Sequence, residues 1–228
     1  MLNGKFITMK KRSGYIPALH YHCLTRWYDP MMRRFFPESG IHAGLIAQAP
    51  IQSGQTVLDA GCGTGTLALL MKRMHPDIAV HGLDIDAEIL RIVLRIAQRK
   101  AVQAGQSILW RQGTATCLPY PDQSVDHVFA SLLLHHLARQ DKQHMLREAL
   151  RVLKPGGALH VADFGKPHDC SMRSISWLMR WFEEIHDNVL GLLPVFMTDA
   201  GFHPVETIAR HRTVAGTIAS YRAVKPIR

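Results

Sequence analysis

The chain has 228 residues, of which 47% are hydrophobic and 20% are charged, with a formal net charge of +9. These proportions exclude collagen-like, disordered and disulfide-scaffold proteins, and the length favours one large domain over two. No apolar run reaches the roughly 18–20 residues that a transmembrane helix needs. The four cysteines lie far apart and without metal-ligand spacing, which predicts a reducing, cytoplasmic location and no bound metal.

Basic residues are concentrated at the N-terminus. Residues 1–38 carry seven of the 27 Lys and Arg residues and only two acidic residues. No long apolar block follows them, so the sequence indicates no secretory signal. Such a basic arm can steer an anionic substrate, touch nucleic acid, make a peripheral contact with an anionic membrane, or simply be a solvated terminus. The sequence leaves these alternatives open.

From residue 54 onward, short β-branched runs alternate with amphipathic helical stretches. We predict helices over Thr66–Met74, 87–104 and Asp141–Leu153, and Lys154-Pro155-Gly156-Gly157 ends the last of these. The predicted strands are Gln55–Asp59, Ala79–Leu83, Ser107–Arg111, Val125–Ser131 and Ala158–Asp163, with a closing pair at Val205–Ala209 and Ala219–Ala223. This order predicts a parallel sheet with helices on both faces.

The two ends of the chain differ from this middle part. Residues 15–50 have a mostly helical pattern that is interrupted by prolines. Ser171–Leu190 predicts a helix dense in large apolar side chains. We therefore divide the chain into a basic arm with a helical lid, residues 1–50, and an α/β domain, residues 51–228.

The most informative stretch is Val57-Leu58-Asp59-Ala60-Gly61-Cys62-Gly63-Thr64-Gly65. A strand ends in an acid, and the chain then turns through three glycines at alternate positions into a helix. Glycine permits positive φ values and lets a ligand approach the backbone. A dinucleotide-binding loop has its third glycine one residue later, where this chain has Thr66. Because Asp59 would also repel a pyrophosphate and attract an ammonium or sulfonium group, we expect no NAD binding.

A second acid, Asp84, stands at the predicted end of the second strand, 19 residues after Gly65. A carboxylate at that strand tip can accept hydrogen bonds from both hydroxyls of a ribose. Asp86 comes just before Ala87 and is typical of a helix N-cap instead. Together with the glycine loop, Asp84 predicts a ligand that contains a ribose.

These residues resemble the class I S-adenosylmethionine-dependent methyltransferases over roughly residues 15–223. The resemblance rests on four blocks in the family's order, VLDAGCGTG, GLDID, RQGTATCLPYPDQSVDHVFASLLLHHL and LREALRVLKPGGALHVADF. LPYPDQSVDHV and LKPGG are most similar to the ubiquinone/menaquinone-methyltransferase-like, small-molecule branch. The resemblance implies a Rossmann-like α/β fold with seven strands in the order 3-2-1-4-5-7-6, strand 7 antiparallel, helices on both faces and an N-terminal helical lid.

The resemblance also implies that the chain binds S-adenosylmethionine and its product S-adenosylhomocysteine. The glycine loop would hold the methionine portion, Ile85 would pack on the adenine, and Ser131 and Leu132 would flank the sulfonium. The family often has an acid after strand 3 for adenine N6; this chain has Thr114 there and lacks that charge-assisted hydrogen bond. The implied cofactor-binding residues are Asp59, Gly61, Cys62, Gly63, Gly65, Asp84, Ile85, Gly113, Thr114, Ala115, Ser131, Leu132 and, from the lid, Tyr28.

Methyl transfer needs a base only if the acceptor must lose a proton. His135 and His136 follow the fourth predicted strand at the edge of the ligand crevice and are the candidate catalytic residues. At least one of them is expected to be a packing or helix-capping residue, and the sequence does not decide which.

The acceptor is expected to be a small, largely apolar molecule. Methyltransferases that modify the amino groups of nucleic-acid bases resemble one another in an Asn/Asp-Pro-Pro-aromatic tetrapeptide at the tip of the fourth strand. This chain has Ser131-Leu132-Leu133-Leu134 there instead. The apolar helix near 171–190 lies where the family has its substrate cover, and with the N-terminal segment it would close the acceptor site. The alternatives are an RNA-modifying methyltransferase that uses the basic arm, and a cofactor-binding homologue without activity.

Overall fold

The computed structural model describes residues 38–88, 90–91, 108–169, 172 and 185–227. The basic arm, Tyr28, most of the predicted helix 87–104 and most of Ser171–Leu190 lie outside these residues.

The described residues form a single seven-stranded sheet with helices packed against it. The strands are β1 (Thr56–Ala60), β2 (Ala79–Asp84), β3 (Ile108–Gln112), β4 (Val125–Ser131), β5 (Leu153–Phe164), β6 (Val205–Thr213) and β7 (Gly216–Val224). The helices are α1 (Glu38–Ala47), α2 (Thr66–Met74), α3 (Arg139–Val152), α4 (His186–Val189) and α5 (Leu193–Ala200), with a 3-10 turn at Leu134–His136. The sheet order is β3-β2-β1-β4-β5-β7-β6. β7 runs antiparallel to both of its neighbours, and the other pairings are parallel. The predicted fold is confirmed.

The predicted bounds of α2 and β4 are confirmed, but the predicted start of β5 is wrong. β5 begins at Leu153, five residues before the predicted Ala158. The glycines predicted to end the helix lie inside β5, where Gly156 N–H donates to Lys225 O and Lys225 N–H donates to Gly157 O. Gly156 has a φ of 78°, a left-handed conformation that glycine adopts without strain.

α5 was not predicted from the sequence. The predicted end of β6 at Ala209 is too early, and the predicted start of β7 at Ala219 is too late. Pro194 at the start of α5 and Gly201 at its C-cap, with a φ of 107°, are the ordinary signals of a helix start and stop. β6 runs on to Thr213 and β7 begins at Gly216, because a short hairpin joins the two strands.

The sheet is buried on both faces. Side chains alternate along a strand, so Val57 and Phe129 face one hydrophobic cluster while Leu58 and Val128 face the other. The first cluster includes Leu45 of α1 and Met71 of α2, and the second includes Met145 of α3 and Met197 of α5. A ligand can therefore reach the strands only at their ends, and in a parallel sheet the carboxyl ends of β1, β2 and β4 meet at one edge.

Arg151 of α3 holds the loop that leads from β3 to β4. Its guanidinium donates hydrogen bonds to the carbonyl oxygens of Leu118 and Tyr120, at 2.9 and 2.8 Å. It also donates to the carboxylates of Glu148 and Asp122, at 2.8 and 2.7 Å. Since this loop begins at the tip of β3, Arg151 fixes one side of the ligand edge.

We expect Arg151→Lys to lower the free energy of unfolding by about 1–3 kcal/mol, because an ammonium group cannot reproduce the planar fork of donors. Urea denaturation measures the change. The control is Arg91→Lys, since Arg91 pairs with Glu88 on the surface and both side chains are mostly exposed. We expect a change within about 0.5 kcal/mol there. Equal losses in the two variants would contradict the role of Arg151.

Candidate active site

The glycine loop connects β1 to α2 at the carboxyl edge of the sheet. Gly61, Gly63 and Gly65 have φ values of 73°, 50° and 74°, all in the left-handed region that favours glycine. The N–H groups of Gly61 and Cys62 donate to the carbonyl oxygen of Leu83, at 2.8 and 2.9 Å, which ties the loop to β2.

Gly61 and Gly63 need the absence of a side chain for different reasons. A Cβ on Gly61 would lie 2.7 Å from Cδ1 of Leu133, so the loop packs directly on the segment after β4. A Cβ on Gly63 would meet no atom of the described residues within 4 Å. Among these residues, the backbone of Gly63 is therefore open on the side where a Cβ would stand. This cradle fits the cofactor that the sequence predicts.

Asp59 is buried beneath the loop and is 1% exposed. Its Oδ2 accepts a hydrogen bond from the N–H of Ala68 in the first turn of α2, at 3.1 Å. The pKa of Asp59 is raised to about 7, mainly by burial; the hydrogen bond from Ala68 opposes this shift and the nearby Asp84 adds to it. A bound cation would favour the ionised form of this carboxyl group.

Asp84 lies at the tip of β2 and contacts the glycine loop. Its Oδ2 accepts a hydrogen bond from Gly63 N–H at 2.8 Å, and its Oδ1 accepts one from Asp86 N–H at 2.9 Å. The side chain predicted to bind ribose therefore also orients the loop. Asp86 Oδ1 accepts from Glu88 N–H at 2.8 Å, which confirms Asp86 as the helix N-cap.

The residues predicted to surround the adenine lie at the adjoining tips of β2 and β3. Ile85 is 38% exposed, and its carbonyl oxygen accepts a hydrogen bond from Gln112 Nε2 at 3.2 Å. Gly113 N–H donates to Asp84 O at 2.9 Å, which joins the two tips. Thr114 Oγ1 lies 2.8 Å from Thr116 Oγ1, so its hydroxyl has a partner within its own loop. The following residue, Ala115, is buried in the core.

Cys62 is buried between the loop and β2. Burial raises the pKa of its thiol above the ordinary range, and Asp59 and Asp84 add to the shift. The group therefore remains a neutral thiol, so Cys62 is suited to packing beneath the loop and not to nucleophilic attack.

Ser131 and Leu132 form the tip of β4, next to the loop. Asp59 of β1 pairs with Phe129 of β4, so Ser131, two residues further along β4, comes out at the same carboxyl edge of the sheet as the glycine loop. Leu132 has a φ of 54°, an uncommon conformation for a non-glycine residue that is often found at functional sites. The Oγ atom of Ser131 lies 3.0 Å from Nε2 of His42 in α1.

The carboxylate of Asp163, near the end of β5, is fully buried and organises the segment after β4. It accepts hydrogen bonds from the backbone N–H groups of Leu134 and Phe164, at 2.8 and 2.7 Å. It also accepts from His135 Nδ1 and Asn188 Nδ2, both at 3.0 Å. Burial alone would raise the pKa of Asp163, but His135 and these hydrogen bonds lower it below its ordinary value. Asp163 is therefore ionised.

The two candidate catalytic histidines have different surroundings. His135 is 5% exposed and donates from Nδ1 to the ionised Asp163, so when its imidazole is neutral the lone pair is on Nε2. The centroid of its ring lies 3.9 Å from that of half-buried His136. The pKa of His136 is lowered to about 4, mainly by burial and also by His135, while Asp163 opposes the shift. His136 is neutral at physiological pH.

Three residues of this site were missed in the sequence analysis. Asp163 stands close to the carboxyl end of β5, and the rule that predicted Asp84 from its strand end could have found it. Asn188 lies in a helix of four residues, and His42 in one whose pattern shows only packing. No local signal marks either of them, because each contacts a residue far away in sequence.

We expect Gly63→Ala to weaken binding of S-adenosylmethionine at least tenfold, because the new methyl group would enter the open side of the loop. Gly54→Ala is a matched control: Gly54 has a φ of 80°, meets no atom within 4 Å, and lies before β1 at the opposite edge of the sheet. Both variants carry the same backbone strain of about 1–2 kcal/mol. Calorimetric titration measures the affinity of both variants for S-adenosylmethionine. Equal losses of affinity in the two variants would contradict a specific role for Gly63.

We also expect binding of S-adenosylmethionine to release protons at pH 7. Its sulfonium and ammonium charges favour ionised Asp59, so the pKa of Asp59 falls from about 7 on binding and affinity decreases as pH falls below 7. Titrations in two buffers with different ionisation enthalpies measure this release. S-adenosylhomocysteine, with one positive charge fewer, should release less, and Asp59→Asn should release none from this position. Proton uptake by the unaltered protein would contradict the prediction.

Comparisons with known proteins agree with this geometry. A family model described as a methyltransferase domain matches residues 57–157. The ubiquinone/menaquinone biosynthesis C-methyltransferase UbiE of Salmonella arizonae is 30% identical over 249 aligned positions, which cover 95% of this chain and 93% of that protein. The 27-O-demethylrifamycin SV methyltransferase of Amycolatopsis mediterranei is 36% identical over 120 residues, 53% of this chain and 42% of that protein.

The fold is shared with solved structures as well. A structure described as a SAM-dependent methyltransferase from Methanosarcina mazei superimposes with a TM-score of 0.63 at 19% identity, covering 78% of this chain and 95% of that one. Within the described ranges, none of the helices has the length and apolar character needed to cross a bilayer. The near full-length match to UbiE, together with the glycine loop and the sheet order, means that the chain belongs to the class I S-adenosylmethionine-dependent methyltransferases, in their UbiE-like branch.

Proposed function

We propose that the enzyme methylates a small, largely apolar acceptor of the phenol or quinol type, whose reacting group must lose a proton. The observation that carries this proposal is the His135–Asp163 pair beside the tip of β4. The near full-length similarity to a protein named as a C-methyltransferase of ubiquinone/menaquinone biosynthesis supports an acceptor of this type.

S-adenosylmethionine supplies a methyl group that is already activated on a sulfonium and reacts by in-line displacement. The protein mainly has to orient the acceptor and exclude water. We assign the methionine portion to the glycine loop, the ribose to Asp84, the sulfonium to Ser131 and Leu132, and the adenine to the side of Ile85 and Thr114. These assignments rest on the open backbone at Gly63 and on the joined tips of β2 and β3.

His135 is the better candidate for the base. Asp163 holds its Nδ1–H, so Nε2 is the atom that accepts a proton from a phenolic hydroxyl, and the buried carboxylate stabilises the imidazolium that forms. His136 has a pKa of about 4 and would be a weak proton acceptor at neutral pH. We assign His136 to packing against His135.

The apolar character of the acceptor follows from the segment after β4. Leu132 and Leu133 are only half-buried in the described structure and stand beside the glycine loop. An amino acceptor on a nucleic-acid base would need an amide or carboxylate at this strand end, and Ser131 to Leu134 provide neither. A planar ring that packs on the leucines and presents a hydroxyl to His135 fits these residues.

The experiment is a methyl-transfer screen with labelled S-adenosylmethionine across hydroquinones, phenols, primary amines, small acids and RNA, read by mass spectrometry. We expect methylation of the hydroquinones or phenols, and fragmentation of the product tells carbon from oxygen methylation. Methylation confined to amines or RNA would refute the proposed acceptor class.

Two variants test the base. His135→Ala should lower kcat on the accepted phenol by about 10²–10⁴-fold, the usual effect of losing a general base, with little change in cofactor affinity. His144→Ala is the control, because His144 lies exposed on α3, away from the strand tips. If His136→Ala causes the large loss and His135→Ala does not, the assignment of the base is wrong.

A further inference from the structure

His42 of α1 is a buried histidine with a specific partner at the cofactor edge. It is 3% exposed, and its Nε2 lies 3.0 Å from the Oγ of Ser131, which is 89 residues away in sequence. Its neighbours Ile41 and Leu45 belong to the hydrophobic cluster under β1 and β4, and their packing fixes the orientation of α1. The contact therefore joins a helix of the N-terminal segment to the tip of β4.

Ser131 provides the last side chain of β4 before the chain turns away. Asp59 pairs with Phe129, so Ser131 stands at the same carboxyl edge of the sheet as the glycine loop that follows β1, and the positive φ of Leu132 redirects the backbone immediately afterwards. The hydroxyl of Ser131 is held there by His42.

The protonation state and the tautomer of His42 together decide how this hydroxyl is oriented. Burial lowers the pKa of His42 to about 4, so its imidazole is neutral at physiological pH. The neutral tautomer with its lone pair on Nε2 accepts the Ser131 hydroxyl proton, which leaves the oxygen lone pairs of Ser131 free to face the loop. The other neutral tautomer, or a charged imidazole, would instead donate a proton from Nε2 to the Ser131 oxygen.

We propose that His42 and Ser131 form a sulfonium-recognition pair, in which His42 accepts the Ser131 hydroxyl proton and turns the Ser131 oxygen toward the positively charged sulfur of S-adenosylmethionine. S-adenosylhomocysteine has a neutral thioether at that place, so the pair favours the methyl donor over the product. The inference rests on the sulfonium position proposed above and is independent of the acceptor class.

The test is the ratio of the dissociation constants for S-adenosylmethionine and S-adenosylhomocysteine, measured by calorimetry without any acceptor. Ser131→Ala and His42→Phe should each weaken the affinity for S-adenosylmethionine by about three- to tenfold, the usual net effect of losing one hydrogen-bonding group. The affinity for S-adenosylhomocysteine should change less than about twofold. The double variant should lose no more affinity for S-adenosylmethionine than either single variant, because each single change already removes the same interaction.

Three further variants separate recognition from folding. His42→Gln and Ser131→Thr keep an acceptor and a hydroxyl, respectively, and should retain most of the preference. His127→Phe is the matched control: His127 is buried on the same face of β4, its pKa is also lowered to about 4, and it contacts His160 at 3.2 Å, away from the loop. It should lower thermal stability without changing the ratio.

Equal losses for both ligands in Ser131→Ala, or an unchanged ratio, would overturn the proposal. A ratio that changes as much in His127→Phe would also overturn it. If His42→Phe does not fold, the comparison of Ser131→Ala with Ser131→Thr still decides, since both changes leave the side chains of α1 as they are. Failure of the acceptor screen would leave this ratio unaffected, so the two proposals are tested separately.

Discussion

The ionised carboxylate of Asp163 is the interaction on which the acceptor side of the site depends. A charge without access to water is costly unless it is fully hydrogen-bonded, and Asp163 receives donors from β5, from the segment after β4 and from α4. The bond from Leu134 N–H sets the path of the preceding residues, and Leu133 in turn packs against Gly61. The position of the glycine loop is thereby linked to a carboxylate two strands away.

The electrostatics of the site are opposite to those of the whole chain. The protein carries a net charge of +9, yet the residues around the loop are the acids Asp59 and Asp84 and the histidine His42, which burial keeps neutral. A cofactor with a sulfonium and an ammonium group meets negative or neutral groups there. Arg139, one of the basic residues of the described structure, is paired with the carboxylate of Asp187.

The parts of the site that the sequence predicted correctly are those with a local signature. The glycine loop, the end of β2 at Asp84 and the N-cap at Asp86 are each defined by a few adjacent residues, and the strand order followed from the family resemblance. The contacts of His42 and Asn188 were not predictable, because each joins segments that only the tertiary fold brings together. The early start of β5 has the same cause, since the pairing of Gly157 with Lys225 depends on the last strand.

The helix α4 connects the proposed base to the acceptor side of the enzyme. Asn188 donates to Asp163, while the preceding residue, Asp187, pairs with Arg139 and lies 3.9 Å from the buried Nζ of Lys142 at the start of α3. α3 follows directly after the turn that carries His135 and His136. α4 therefore contacts both the helix that follows this turn and the carboxylate that binds the turn. α4 also ends the segment near 171–190 that the sequence assigns to the substrate cover. In the proposed function, the proton acceptor His135 is held by Asp163, and Asn188 and Asp187 attach α4 to the same part of the site.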